Sequence, residues 1–321
     1  MLETSDHELL LPLVQEENIC LPLPINVVSK YWDIDLPIIE ATEISKLYPS
    51  NSGSVLIEGI ELAERNGLKC KIIHSSISEL KKIIDSGIPP IVILPGIPEI
   101  TQHASVISGY NENKNTILHY IQKGTKEGEQ QEGVIPLSIF DKEWEEEGRL
   151  LIILAPENII SSLKINKTSE EESNRLCFIS EKFIIQKNQL QALEFAKKAI
   201  EFDKNNQTAL NLIAGLLNSQ NSDDCIKYYQ KSIDLNDRNY LSYNGLGNFY
   251  LKNNKIEKAL TCYNRAIEIN PKRSARIYKN RAYLFEKQKM NLKAKEDLKN
   301  YLKLSPHAND RGIIEQAIRE L

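Results

Sequence analysis

The stretch YLSYNGLGNFYLKNNKIEKALTCYNRAIEINP, residues 240–271, decides how the second half of this chain folds. Leu246-Gly247 is followed by Tyr250, then by Ala259, Tyr263, Ala266 and Pro271. That order of residue types is expected of two helices joined by a turn. The small residues Gly247 and Ala259 fit where the two helices cross closely. Tyr250 and Tyr263 fill the space between them, and Pro271 ends the second helix.

The order of residue types follows that of a repeating helix–turn–helix unit of about 34 residues, and resembles the tetratricopeptide repeat. Downstream, Tyr278, Ala282, Phe285, Ala294, Leu298, Tyr301 and Pro306 repeat it with one extra residue of spacing. Upstream, Ala214, Leu217, Cys225, Tyr229 and Ser232 form a weaker copy, and Ser180, Phe183, Ala192, Ala196 and Ala199 another. About four repeats are therefore expected between Asn174 and Pro306, stacked so that each covers its neighbour's apolar face. Residues 309–321 read as a capping helix with Ile313, Ile314, Ala317 and Ile318 on one face. The resemblance implies an all-α solenoid whose concave face holds a protein or peptide partner.

The 321-residue length suits two domains. No apolar run approaches the roughly 20 residues of a membrane span. The start, MLETSDHELLLPLV, lacks the basic segment of a signal peptide. A cytoplasmic protein without membrane attachment is the expectation. Five scattered cysteines do not form a disulfide framework. Cys177, Cys225 and Cys262 fall among the repeats, the last two at helix-packing positions as small buried residues, and Cys70 is expected in the core on a strand-like run. No Cys-x-x-Cys or His/Cys cluster suggests a metal, and no motif calls for a cofactor.

The net charge of −4 conceals a division. Residues 1–173 carry 14 Lys/Arg against 28 Asp/Glu, whereas residues 174–321 carry 26 against 16. Either the halves attract each other, or the basic solenoid receives an acidic peptide. Nucleic acid is not the expected partner, because the tyrosines occupy repeat core positions. The charge step falls at KINKTSEEESN, residues 164–174, which reads as a polar linker. Three segments follow: a first domain over 1–163, a linker over 164–173 and the repeats over 174–321.

In the first domain, helical spacing is expected over Ile19–Trp32, Ser54–Arg65 and Ile77–Ile84. Strand-like runs follow at Lys69–Ile73, Ile91–Leu94, Ala104–Ser108, Thr116–Ile121 and Leu150–Leu154. Helices largely before strands indicate α+β. No P-loop, Gly-x-Gly-x-x-Gly, His-Glu-x-x-His or Gly-x-Ser-x-Gly motif is present. Cys20 falls at the expected start of the first long helix, where the helix end lowers a thiol pKa. His103 opens an expected strand, and Gln15 precedes Cys20 by five residues. His7, in a terminus expected to be mobile, and His74 and His307 have no motif context.

The segment Gln15…Cys20-Leu21-Pro22, then a helix ending at Tyr31-Trp32, resembles the nucleophile segment of papain-like cysteine peptidases of the bacteriocin-processing, double-glycine kind. The stretches 48–68, 87–94, HASVISGYN at 103–111 and FDKEWEEEGRLLIILAP at 140–156 resemble later segments of that family in the same order. The resemblance implies a papain-like α+β domain with Cys20 as nucleophile, His103 as base and Gln15 as oxyanion donor. Leu21 stands where the family has Gly, and Pro24 where it has a small residue. The family's usual acid is missing, and His119 lies near its place. The whole chain thus reads as a thiol peptidase carrying a repeat module, or as an inactive peptidase-like scaffold acting through its repeats.

Overall fold

The structure, a computed structural model, describes residues 7–12, 23–37, 40, 55–95, 102–121, 131–165 and 167–321. The chain divides into two compact units. One comprises Met1–Leu94 with Ala104–Leu212, the other Pro95–His103 with Ile213–Leu321.

The first unit opens with α1 (Leu23–Tyr31) and α2 (Leu56–Arg65), then β1 (Leu68–His74), α3 (Ile77–Asp85), β2 (Ile91–Pro95), β3 (Gln102–Asn111), β4 (Thr116–Ile121), β5 (Gln131–Pro136), α4 (Leu137–Glu146), β6 (Leu150–Pro156) and α5 (Glu157–Ser162). The described strands form one sheet in the order β1-β6-β2-β3-β4-β5. β6 runs antiparallel to both β1 and β2, with Ile72 opposite Ile152 and Ile91 opposite the same residue on the other side. β3, β4 and β5 form an antiparallel meander, with a register shift between Ile107 and Gly109.

Alternate side chains of β1, β2 and β6 enter two different cores. Ile72, Ile93, Ile152 and Leu154 pack with Ile25, Val28, Ile57 and Ile60. Ile73, Val92, Leu151 and Ile153 pack with Leu80, Ile84, Phe140 and Trp144. Apolar cover on both faces explains why these strands read as unbroken apolar runs rather than as alternating ones. The expected helices and strands of this unit are present where described, with ends shifted by a few residues. β5 and α4 were not expected, because QEGVIP and LSIFDKEWEE carry charges inside short apolar patterns. Pro24 stands second in α1, within the first turn, where no intrahelical amide is lost.

The terminus expected to be mobile is held at His7–Leu11. Leu9 N donates to Ser108 O at 2.6 Å and Tyr110 N to His7 O at 3.1 Å. The His7 ring stacks on Tyr110 at 4.2 Å, and its Nδ1 lies 2.8 Å from Asp85 Oδ1. Tyr110 Oη also donates to Asp85 at 2.9 Å. Burial and that carboxylate push the phenol up to about 12. A Cβ on Gly109 would lie 2.4 Å from His7 O, so the glycine of the Gly-Tyr-Asn turn is what admits this strap.

Four helical hairpins follow: α6 (Thr168–Ile185) with α7 (Gln189–Phe202), α8 (Gln207–Ser219) with α9 (Cys225–Leu235), α10 (Tyr240–Lys252) with α11 (Ile256–Ile269), and α12 (Ala275–Lys287) with α13 (Asn291–Leu304). The stretch read as a linker over 164–173 therefore contains the opening of α6. The reason lies at the sheet's edge, where β1 leaves backbone groups without a strand partner. Asn174 Nδ2 donates to Ile72 O at 2.8 Å and Lys167 Nζ to His74 O at 2.7 Å, while Glu170 accepts from His74 N. Glu171 pairs with Lys71 at 2.7 Å, Lys182 with Glu58 at 2.9 Å, and Arg175 with Glu64. The acidic run Ser169–Glu172 is thus a helix opening that covers a strand edge, and the first compact unit extends through α7 to Leu212.

In the second unit the repeat positions do what their residue types suggest. A Cβ on Gly247 would lie 2.6 Å from the Tyr263 ring, and one on Gly245 would lie 2.3 Å from Tyr229 Oη. Tyr263 Oη donates to Asn248 Oδ1 at 2.8 Å, and Asn280 Nδ2 donates to the same oxygen at 3.1 Å, joining successive hairpins. Asp297, 3 % exposed, is held by Arg281 through two bonds of 2.7 Å. The capping helix α14 (Arg311–Glu320) buries Ile314 and packs Ala317 and Ile318, but Ile313 points outward.

Candidate functional site

His103 is the expected catalytic residue that the structure describes most directly. It stands at the start of β3 with an exposed ring, and its Nδ1 lies 3.0 Å from the carbonyl oxygen of Pro95. A carbonyl can only accept, so this bond places the proton on Nδ1 and leaves Nε2 with its lone pair. Among the described residues, no carboxylate hydrogen-bonds to His103.

His119, expected near the place of the missing acid, lies on β4 opposite Ile107. Its Nδ1 lies 3.0 Å from Ser105 Oγ. Cys20, expected as nucleophile, and Gln15, expected as oxyanion donor, lie outside the described residues. The role of the Pro95 carbonyl was not legible in the sequence, since a backbone acceptor leaves no residue-type signal. Ser105 carried only its alternation with Val106.

The other cysteines are free thiols in apolar settings. Burial pushes Cys70 and Cys177 well above the ordinary thiol range, and Cys225 and Cys262 up to about 11. None of these four is set up as a nucleophile at neutral pH. His74 Nδ1 bonds to Gly148 O at 2.7 Å and serves the turn after α4. A surface cleft of about 510 Å³ between α3 and residues 162–167 is lined by Ile73, Ile83, Lys82, Lys164 and Lys167, with no cysteine or histidine. Among the described residues, no group of three His, Cys, Asp or Glu side chains is placed to hold a metal ion. Nor is any helix there long and apolar enough to cross a membrane.

Residues 240–273 match the tetratricopeptide repeat family. The α10–α11 hairpin is thus a tetratricopeptide repeat, a kind of unit that in general binds protein partners. No curated protein matches the chain. Among solved structures, the chain is similar to PilF of Pseudomonas aeruginosa, at 20 % identity over 48 % of this chain and 72 % of that one, with a TM-score of 0.43. It is similar also to MamA of Desulfovibrio magneticus RS-1, at 16 % identity over 47 % and 93 % of the two chains, with a TM-score of 0.40. A third similarity is to the anaphase-promoting-complex assembly Cut9–Hcn1, at 16 % identity over 51 % and 32 %, with a TM-score of 0.42.

Proposed function

We propose that this chain is a papain-like thiol peptidase whose repeats bring a protein or peptide partner to it. The observation that carries this reading is His103, whose Nδ1 is engaged by the Pro95 carbonyl at 3.0 Å, which leaves Nε2 as the ring nitrogen not used in that bond. Cys20 attacks the peptide carbonyl as a thiolate, and Gln15 with a backbone N–H receives the oxyanion. His103, protonated by the thiol, returns that proton to the leaving amine. It then takes one from the water that hydrolyses the thioester. The carbonyl of Pro95 replaces the usual acid as orienting group. It fixes the ring but supplies no full charge to the imidazolium, so a slow enzyme is the expected result.

The test is an activity probe. A peptide bearing a cysteine-directed electrophile is incubated near pH 6 with the wild-type chain, Cys20→Ala and His103→Ala, and intact mass is read. Labelling at one site that both substitutions abolish is the expected outcome, because the four other thiols are raised by burial. Equal labelling of wild type and His103→Ala would sink the enzyme reading. The absence of a carboxylate at His103 among the described residues favours a second reading, an inactive peptidase-like scaffold acting through its repeats.

The partner we infer is acidic, since residues 174–321 carry 26 Lys/Arg against 16 Asp/Glu. Its affinity is expected to fall steeply as salt rises through about 0.15 M, where the screening length is about 8 Å. Salt-independent binding would reject the charge argument in favour of apolar pockets.

A further inference from the structure

Two neighbouring hairpin turns of the second unit build one lysine-rich edge. At the α10–α11 turn stand Lys252, Lys255 and Lys258, and at the α12–α13 turn Lys287, Lys289 and Lys293. Gln288 Nε2 donates to Glu257 Oε1 at 2.7 Å, which joins the two turns side by side. Among the described residues, none of these six lysines is paired with a carboxylate, although Lys252 Nζ donates to Asn218 O and Oδ1 at 3.3 and 3.2 Å and so belongs to the hairpin packing rather than to the open edge. Lys255 and Lys258 lie 6.0 and 5.5 Å from the Tyr250 ring centre, Lys287 4.8 Å from that of Tyr283, and Lys293 5.5 Å from that of Phe285. The preceding turn is joined to the same edge by Asn253 Nδ2 donating to Asn221 Oδ1 at 3.1 Å. It carries Asp223 and Asp224, so the positive charge is confined to the last two turns.

Apolar side chains stand among these lysines. Leu292 is 86 % exposed and Met290 43 % exposed. Lys289 between them and the helix end has φ +60°, the turn conformation that holds this tip. Exposed aliphatic residues ringed by lysines fit an anionic lipid surface. The aliphatic groups enter the acyl boundary, and the long lysine stems let the charges reach headgroup phosphates and carboxylates. An acidic peptide would use the lysines but leave the exposed Leu292 and Met290 uncovered, so at this edge the lipid surface is the better fit.

We propose that the edge formed by the α10–α11 and α12–α13 turns docks on an anionic membrane surface, with Leu292 and Met290 as the inserted residues. This is attachment in the plane of the interface, without a spanning segment, and it is independent of the peptidase reading. The test is co-sedimentation of the full chain with vesicles of phosphatidylcholine alone, or with about a third phosphatidylserine. Binding to the anionic vesicles only is expected. The double variant Lys289→Glu/Lys293→Glu should weaken it by at least about tenfold, and Leu292→Ser by about tenfold. Leu190→Ser is the control, because Leu190 is 81 % exposed at a turn without this lysine cluster, and it should leave binding unchanged. All variants are on the surface, and unchanged far-UV circular dichroism verifies their folding. Equal binding to neutral vesicles, an unaltered double variant, or capture by soluble polyglutamate with none by vesicles would overturn the proposal, the last in favour of an acidic protein.

Discussion

On α6 the half-buried carboxyl of Glu181 is partly desolvated and feels the like charge of Glu147. Burial first, and that neighbour second, raise it from near 4.5 to about 7. A carboxyl raised on folding binds its proton more tightly in the folded chain than in the unfolded one. Its effect is therefore favourable on the acid side, below the unfolded value, and is lost as pH rises through about 7. Glu181→Gln removes the penalty of ionisation. It should raise stability by on the order of 1–3 kcal/mol near pH 8 and leave it unchanged below about pH 4.5. Urea denaturation at the two pH values measures this directly. A variant less stable than wild type at the higher pH would refute the assignment.

At the scale of elements, α6 is where sequence and structure differ most. The strong repeat, residues 240–271, was legible because Gly247, Ala259 and Tyr263 serve helix crossing alone. The first hairpin was legible only faintly, and its opening was read as linker. Ser169–Glu172 looks solvated as a string, yet Glu170 and Glu171 answer backbone and lysine groups on β1 that are about 100 residues away in sequence. No local pattern reports that. At the candidate site the expectation rested on the residue type of His103, whereas its backbone partner Pro95 has no residue-type signal. Asn174 is the test of the α6 contact. It donates to Ile72 O at 2.8 Å and accepts from Asn206 Nδ2 at 2.6 Å, both in buried surroundings. Asn174→Ala strands those two groups and should cost about 1–3 kcal/mol. An unchanged denaturation midpoint would show that the helix does not depend on this contact.

For the whole molecule, the first unit extends through Leu212 rather than stopping before residue 164. A fragment ending at Ile165 would lack Phe178 from its core and leave the β1 edge uncovered. It should aggregate or unfold, whereas a fragment ending at Leu212 should give a cooperative melt. Equal melting of both would show that α6 and α7 are passengers on the sheet.

The hairpin of α6 and α7 answers to two neighbours, a strand edge on one flank and a repeat-like partner helix on the other. Its sequence must satisfy both at once, so it is free to drift from the repeat signature but not to be copied or lost. A change in α6 is therefore felt twice, once at the strand edge through Asn174 and Glu171 and once through Asn206 beside the next helix.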